Sequence, residues 1–253
     1  MSLQVNGFKI CNSVYSPGEI KYFRDSIEAL YQERPSAFKS IKRKDYPEYF
    51  VSSYNLKEID QGRLLSVLLK SSLIDDIKSE LGAERLQFFG DSSIMIGEGE
   101  RGFHKDNANR TDSLAKDWQE DFDIIRCGLY LQNTSQFSGG LQLRIGSHRM
   151  VNRWHGRIFN FEGRAGDIAY WKLTTTHSGN RRIFRFYRRL NLIPRIASLL
   201  PSSFFLPYER ERFAIFFALA PVGSKYLNEY VSHLDARSDT SGFRKKRYSE
   251  IFI

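Results

Sequence analysis

His104 and Asp106 form an H-x-D pair within the run GFHKDN. On an extended strand, residues i and i+2 point to the same face, so the imidazole and the carboxylate can reach one metal ion together. His177, in THSGN after the strand-like run GDIAYW, offers a third ligand from elsewhere in the chain. Two histidines and one carboxylate on one face of an octahedron leave three positions open. That facial arrangement suits iron(II), with a bidentate 2-oxo acid and dioxygen in the open positions. The bare pair recurs by chance, and an isolated histidine is more often structural than a ligand. The elements around these residues must therefore carry the argument.

Residues 16–34 read as a helix. Ser16 can cap it, Pro17 takes the first helical position and Glu19 completes a capping box. Ile20, Phe23, Ile27, Leu30 and Tyr31 follow at helical spacing. A second helical stretch is expected over 61–81, ending at Gly82. After Glu84 the texture changes to short aromatic and β-branched runs punctuated by Gly, Asn, Asp and Ser. The expected strands are 86–90, 93–98, 123–131, 140–145, 167–172 and 212–219, the pattern of a β-sandwich or barrel. Residues 107–120 read as a polar surface loop. Helical spacing returns near 224–236, and the polar, basic stretch 238–246 is expected to be mobile.

The chain of 253 residues is 41% hydrophobic and 26% charged, ordinary values for a globular protein with one substantial core. Cys11 and Cys127, the two cysteines, cannot build a disulfide framework or a cysteine zinc site. The N-terminus lacks the basic and apolar regions of a secretory signal, and no apolar run is long enough to cross a bilayer. The expected location is cytoplasmic. A net charge of +9 favours an anionic partner without choosing among them. Nothing resembles a nucleic-acid module, so no nucleic-acid partner is expected.

Taken in order, H-x-D at 104–106, DIIRCGLYL at 123–131, SGGLQLRIGSHR at 138–149, GDIAYW at 166–171, THSGN at 176–180 and RFAIFFALAP at 212–221 resemble the phytanoyl-CoA dioxygenase superfamily. The resemblance covers roughly residues 86–221. It implies a mainly β fold with flanking α-helices, the double-stranded β-helix (a jelly-roll, cupin-like barrel) with the metal between two antiparallel sheets. It also implies iron(II), 2-oxoglutarate as co-substrate and dioxygen, with hydroxylation of an unactivated C–H bond. The implied layout is a single domain over 1–253. A helical part spans about 1–84 and a β-helix core about 85–221. A C-terminal helix and tail span about 222–253. Asp106 retains the carboxylate ligand, which argues against halogenation.

The family grips the distal carboxylate of 2-oxoglutarate with an arginine, as a guanidinium fork suits. Arg212, in RFAI, fits the family's setting, whereas Arg185 fits its spacing from the distal histidine. Arg212 is preferred, which makes 181–208 an insertion. Trp171 can face the pocket or fill the core. Arg126 and Gln142 lie on expected strands and can face inward toward co-substrate or substrate, or outward. His148 reads as structural, His155 and His233 as surface residues, and Asp167 as a turn tether.

The insertion carries Arg181, Arg182, Arg185, Arg188, Arg189 and Arg195 among apolar residues, with no Asp or Glu. Such a segment suits an interface with an anionic membrane or an amphiphilic substrate; a hairpin packed on the barrel is the plainer expectation. Two competing functions remain. One is a metal-dependent hydrolase or isomerase on the same barrel, and the other is a binding homologue without turnover.

Overall fold

The computed structural model describes residues 1–41, 49–52, 56–97, 101–134, 140–179, 183–187, 190, 196, 199–206, 212–236 and 251–253. The strands are β1 Phe8–Cys11, β2 Lys39–Ile41, β3 Tyr49–Ser52, β4 Leu86–Ile96, β5 Arg101–His104, β6 Ile125–Tyr130, β7 Gln142–Arg144, β8 Ile158–Asn160, β9 Ile168–Lys172, β10 His177–Gly179, β11 Phe213–Pro221 and β12 Ile251–Phe252. They form two antiparallel sheets. The larger runs β1-β9-β6-β11-β4-β3-β2, with β12 also on β4, and the smaller runs β5-β10-β7-β8. From β4 to β11 the chain passes back and forth between the sheets. This winding is the double-stranded β-helix that the sequence led us to expect.

Strand alternation divides the larger sheet into two faces. Cys127 and Leu129 of β6, Ile168 and Tyr170 of β9, and Ile215 and Phe217 of β11 join the principal apolar core on the outer face. Helices cover that face: α2 Pro17–Glu33, α3 Arg63–Leu68 and α4 Ser71–Leu81. Tyr130 of β6, Ala169 and Trp171 of β9, and Ala214 of β11 instead join a second cluster between the sheets. There they meet Leu141, Leu143 and Phe161 from the smaller sheet and its approaches. A third cluster packs Phe89, Phe122 and Leu173 under α5, Leu227–Ala236 (α1 is the single turn Leu3–Asn6).

Several expectations hold and several change. The capping box is present: Glu19 N–H donates to Ser16 Oγ, and Ser16 N–H donates to Glu19 Oε2 at 2.7 Å. The expected helix 61–81 starts at Arg63, after Gln61 and Gly62 at positive φ, and is two helices, because Leu69 and Lys70 leave helical geometry; Lys70 turns its ammonium back to the Val14 carbonyl and Glu19. The two strands expected over 86–90 and 93–98 are one strand, Leu86–Ile96. Gly90, at φ +86, sits where the register with β11 shifts, so the glycine accommodates an irregularity instead of ending the strand. The part before residue 84 is not only helical: β1, β2 and β3 extend the larger sheet. The loop 107–120 is not all surface, since Asn107 and Asp117 are buried and bonded to each other. The tail 238–246 lies outside the described residues. Among the described residues no helix is long and apolar enough to cross a membrane.

Candidate metal centre

β10 pairs with β5 so that His177 and His104 are directly opposite. Cross-strand partners share a face, which brings the two rings to 4.3 Å between centroids. Asp106 lies just past the end of β5, so the strand rule alone does not place it. Its backbone is held by a hydrogen bond from Asp106 N–H to Leu173 O, 2.9 Å. Asp106 Oδ1 is 3.7 Å from His104 Nε2, and Oδ2 is 3.4 Å from His177 Nε2. One ligand atom from each residue falls within 4.8 Å of the others.

The outer nitrogens decide the tautomers. His104 Nδ1 is 2.7 Å from Gly102 O, and His177 Nδ1 is 3.1 Å from Thr175 O. A carbonyl only accepts, so each Nδ1 carries the hydrogen and each Nε2 turns its lone pair toward Asp106. Two imidazole nitrogens and a carboxylate oxygen form a donor set suited to iron(II), and they occupy one side only. The side chains are 16%, 10% and 8% exposed for His104, Asp106 and His177, so the cluster is sheltered but not sealed.

Lys105, between two of these residues, points the other way. Its ammonium is buried and donates to Ser147 O at 2.7 Å and Thr174 O at 2.5 Å. Burial pulls its pKa down to about 7. Lys105 thereby ties the turn after β7 and the approach to β10 to the end of β5.

Arg126 projects from β6 into the space between the sheets. Its Nη2 is 2.5 Å from Asp91 Oδ2, and its Nε is 3.4 Å from Asp106 Oδ2. Tyr230 on α5 donates to the same Asp91 oxygen at 2.9 Å. Burial alone would lower the guanidinium's pKa; Asp91, then Asp106 and Tyr230, outweigh it and hold it raised. Arg126 thus bridges the candidate ligand carboxylate to a second buried carboxylate. Neither Asp91 nor Tyr230 stood out in the sequence. The available signal was an acid in the middle of the apolar run LQFFGDSSIMI, since a charge on a central strand needs a buried partner.

Trp171 packs its ring 5.0 Å from that of His177. Gly128 leaves room for it, because a Cβ there would stand 2.8 Å from the indole. Arg212 is 4% exposed, with its guanidinium 4.9 Å from the centre of the Tyr130 ring. A Cβ built on Gly179, two residues past His177, would be 3.9 Å from Arg212 Nη2. Arg185 is an exposed residue of the insertion. Arg181, Arg182, Arg188, Arg189 and Arg195 lie outside the described residues.

Gln142 is not brought to the cluster. Its register partner is Ser178, while Leu143 pairs with His177, so Gln142 faces away from the inter-sheet space. Its amide donates to Asn160 on β8 at 2.7 Å. His148 is buried, with Nε2 donating to Gln4 O at 3.2 Å. Asp167 accepts from the backbone N–H groups of Ser13 and Arg164, as a turn tether does. His155 is exposed and His233 partly so.

No protein-family model matches the sequence, and no curated protein matches it. Solved structures do match in fold. EctD from S. alaskensis with 2-oxoglutarate and 5-hydroxyectoine aligns at TM-score 0.58 and 16% identity, over 87% of this chain and 74% of that one. HygX from Streptomyces hygroscopicus with nickel and 2-oxoglutarate bound aligns at 0.58 and 13%, over 87% and 85%. The non-heme alpha ketoglutarate dependent carbocyclase SnoK from nogalamycin biosynthesis aligns at 0.57 and 14%, over 90% and 87%. At these identities the shared property is the fold: this chain has the cupin-like double-stranded β-helix of those three proteins, across nearly its whole length.

Proposed function

We propose that this chain is an iron(II)- and 2-oxoglutarate-dependent oxygenase acting on an unactivated C–H bond of a small or amphiphilic metabolite. The observation that carries the reading is the triad: His104 and His177 opposite each other on paired strands, with both Nε2 atoms turned to Asp106. Three fold relatives whose names include 2-oxoglutarate or alpha ketoglutarate add support.

In this reading His104, Asp106 and His177 hold the metal, which when bound supplies the activation of dioxygen. Arg212 is the clamp for the distal carboxylate of the co-substrate. Its burial beside Tyr130 makes a bidentate pair stronger than it would be in water. Arg126 holds Asp106 from behind and restrains its rotation. Trp171 and Gly128 wall the space next to His177 and exclude water from that side. Expected reactions include hydroxylation, and the carbocyclase among the fold relatives makes ring closure a second outcome on the same centre.

The test is anaerobic. Iron(II) and then 2-oxoglutarate are added to the purified chain while the visible spectrum is followed. A weak charge-transfer band is expected, absent in His104→Ala and requiring much more 2-oxoglutarate in Arg212→Gln. Iron bound without any such band would remove 2-oxoglutarate from the proposal and bring forward a non-redox metal enzyme.

A further inference from the structure

His104 stands on a strand with little backbone pairing to hold it. β5 has four residues, lies at the edge of the smaller sheet and pairs only with β10 among the described residues. Its register with β10 shifts between the His177 and Gly179 positions. Pairing over so few residues holds a strand only weakly unless side chains pack on it. Something else must fix the direction of the His104 ring.

The back of the smaller sheet carries a tether. Leu143 pairs with His177 and packs between the sheets, so its neighbour Arg144 points outward. Phe103, next to the inward His104, points outward for the same reason. The loop 145–157, between β7 and β8, folds back over this face. Trp154 N–H donates to Asn152 Oδ1 at 2.9 Å, which sets the turn. Gly156, at φ +87, passes so close to Ile145 that a Cβ would stand 2.1 Å from its carbonyl oxygen.

Arg144 closes the loop. Its Nη1 donates to Trp154 O at 2.7 Å and to Gly156 O at 2.8 Å. Its guanidinium lies 4.6 Å from the centre of the Phe103 ring and 5.5 Å from that of Trp154. The two rings meet edge-on, 6.2 Å between centres. One planar group thus joins β7 to β5 across β10, the strand that carries His177. A lysine could reach the carbonyls but has no plane to lie against the rings.

We propose that Arg144 is a positioning residue for the candidate metal centre: by clamping Trp154 against Phe103 it fixes β5, and with it His104, against His177. Lys105, on the other side of His104, ends on Ser147 O in the same loop. Both neighbours of His104 are therefore anchored to the connection between β7 and β8. The proposal rests on the metal reading above and adds a requirement on the face of the sheet away from the ligand atoms.

The experiment has two arms. Hydrogen exchange is followed by mass spectrometry in the full chain without metal. Arg144→Leu and Trp154→Ser are each expected to speed exchange about tenfold across 101–106 and to leave 213–221 unchanged. Manganese(II) affinity is then measured by titration calorimetry, with near-ultraviolet dichroism confirming that each variant is folded. Both variants are expected to bind about 10–100-fold more weakly than the wild type, with Arg144→Lys in between. Phe217→Ala, a change in the outer core, is expected to stay within about twofold of the wild type. Unchanged exchange across 101–106 would overturn the proposal. Faster exchange with unchanged manganese affinity would overturn it too, since Arg144 would then brace the fold alone. So would an equal loss of affinity in Phe217→Ala, because affinity would merely follow stability. Manganese binding that His104→Ala leaves intact would count against the metal reading itself, a failure the exchange arm separates because it needs no metal.

Discussion

The two faces of the larger sheet are built from the same strands and do opposite things. On the outer face, Cys127, Leu129, Tyr170, Ile215 and Phe217 merge with three helices into one apolar core. On the inner face, a step of one residue exposes Arg126, Gly128, Tyr130 and Trp171 to the space that holds the triad. The outer face gains its stability from area removed from water. The inner face buries a guanidinium and two carboxylates, an arrangement that stays favourable only while every charge keeps its partner. Stability is thus concentrated on one side of a single sheet and chemistry on the other.

Arg126→Met should break this contrast most sharply. It removes the guanidinium that Asp91 and Asp106 share and leaves the two buried carboxylates without it, at a cost of about 3–5 kcal/mol in unfolding free energy. A divalent ion can then take over the neutralisation of Asp106. Manganese(II) should therefore raise the melting temperature of the variant by more than it raises that of the wild type. An equal shift would mean that Arg126 does not act on the ligand carboxylate.

Phe217→Ala probes the other face. Phe217 is fully buried in the outer core, and its truncation should cost about 3–4 kcal/mol. Here the manganese-induced shift should match that of the wild type, measured by the same thermal scan. A diminished shift would show that the two faces are coupled through β11.

The smallest effect concerns His148, a buried group whose charged neighbours among the described residues are cations. His148 lies against Gly7, whose φ is +84; a Cβ there would stand 2.5 Å from His148 Nδ1. Burial, then the charges of Lys172 and Arg149, lower its pKa from 6.5 to about 4. A histidine with a depressed folded pKa is neutral when folded and protonates more readily when unfolded. Its contribution is therefore intact above pH 6.5 and is lost as pH falls toward 4. About 3 kcal/mol should disappear across that window. His148→Gln should flatten the curve, as read from urea unfolding at several pH values; a curve as steep as that of the wild type would remove His148 as its source.

Much of this was legible in the chain. The cap at Ser16, the αL glycine at Gly82, the period-2 runs and the order of the motifs are local, and local chemistry settles them. What was misread had a distant cause. The helix 61–81 breaks at Leu69 and Lys70, where Lys70 reaches back to Val14 and Glu19, about 50 residues earlier in the chain. β1 was invisible because four residues, FKIC, become a strand only when β9 offers its edge. Gln142 looked as eligible as Arg126 on an expected strand. Register alone separates them, since one residue of slip exchanges the two faces.

By itself the sequence determined the kinds of ligand atom available, their order along the chain, the alternation that would aim them, and the basic, apolar character of 181–208. Residue type and short-range periodicity are written in the chain and need no partner. Only the tertiary structure decided that His104 stands opposite His177, that Arg126 joins Asp106 to Asp91 and Tyr230, and that Arg212 lies beside β10. Each of those contacts closes a long loop of chain. The free energy that closes it comes from the whole core, which no single segment of sequence contains.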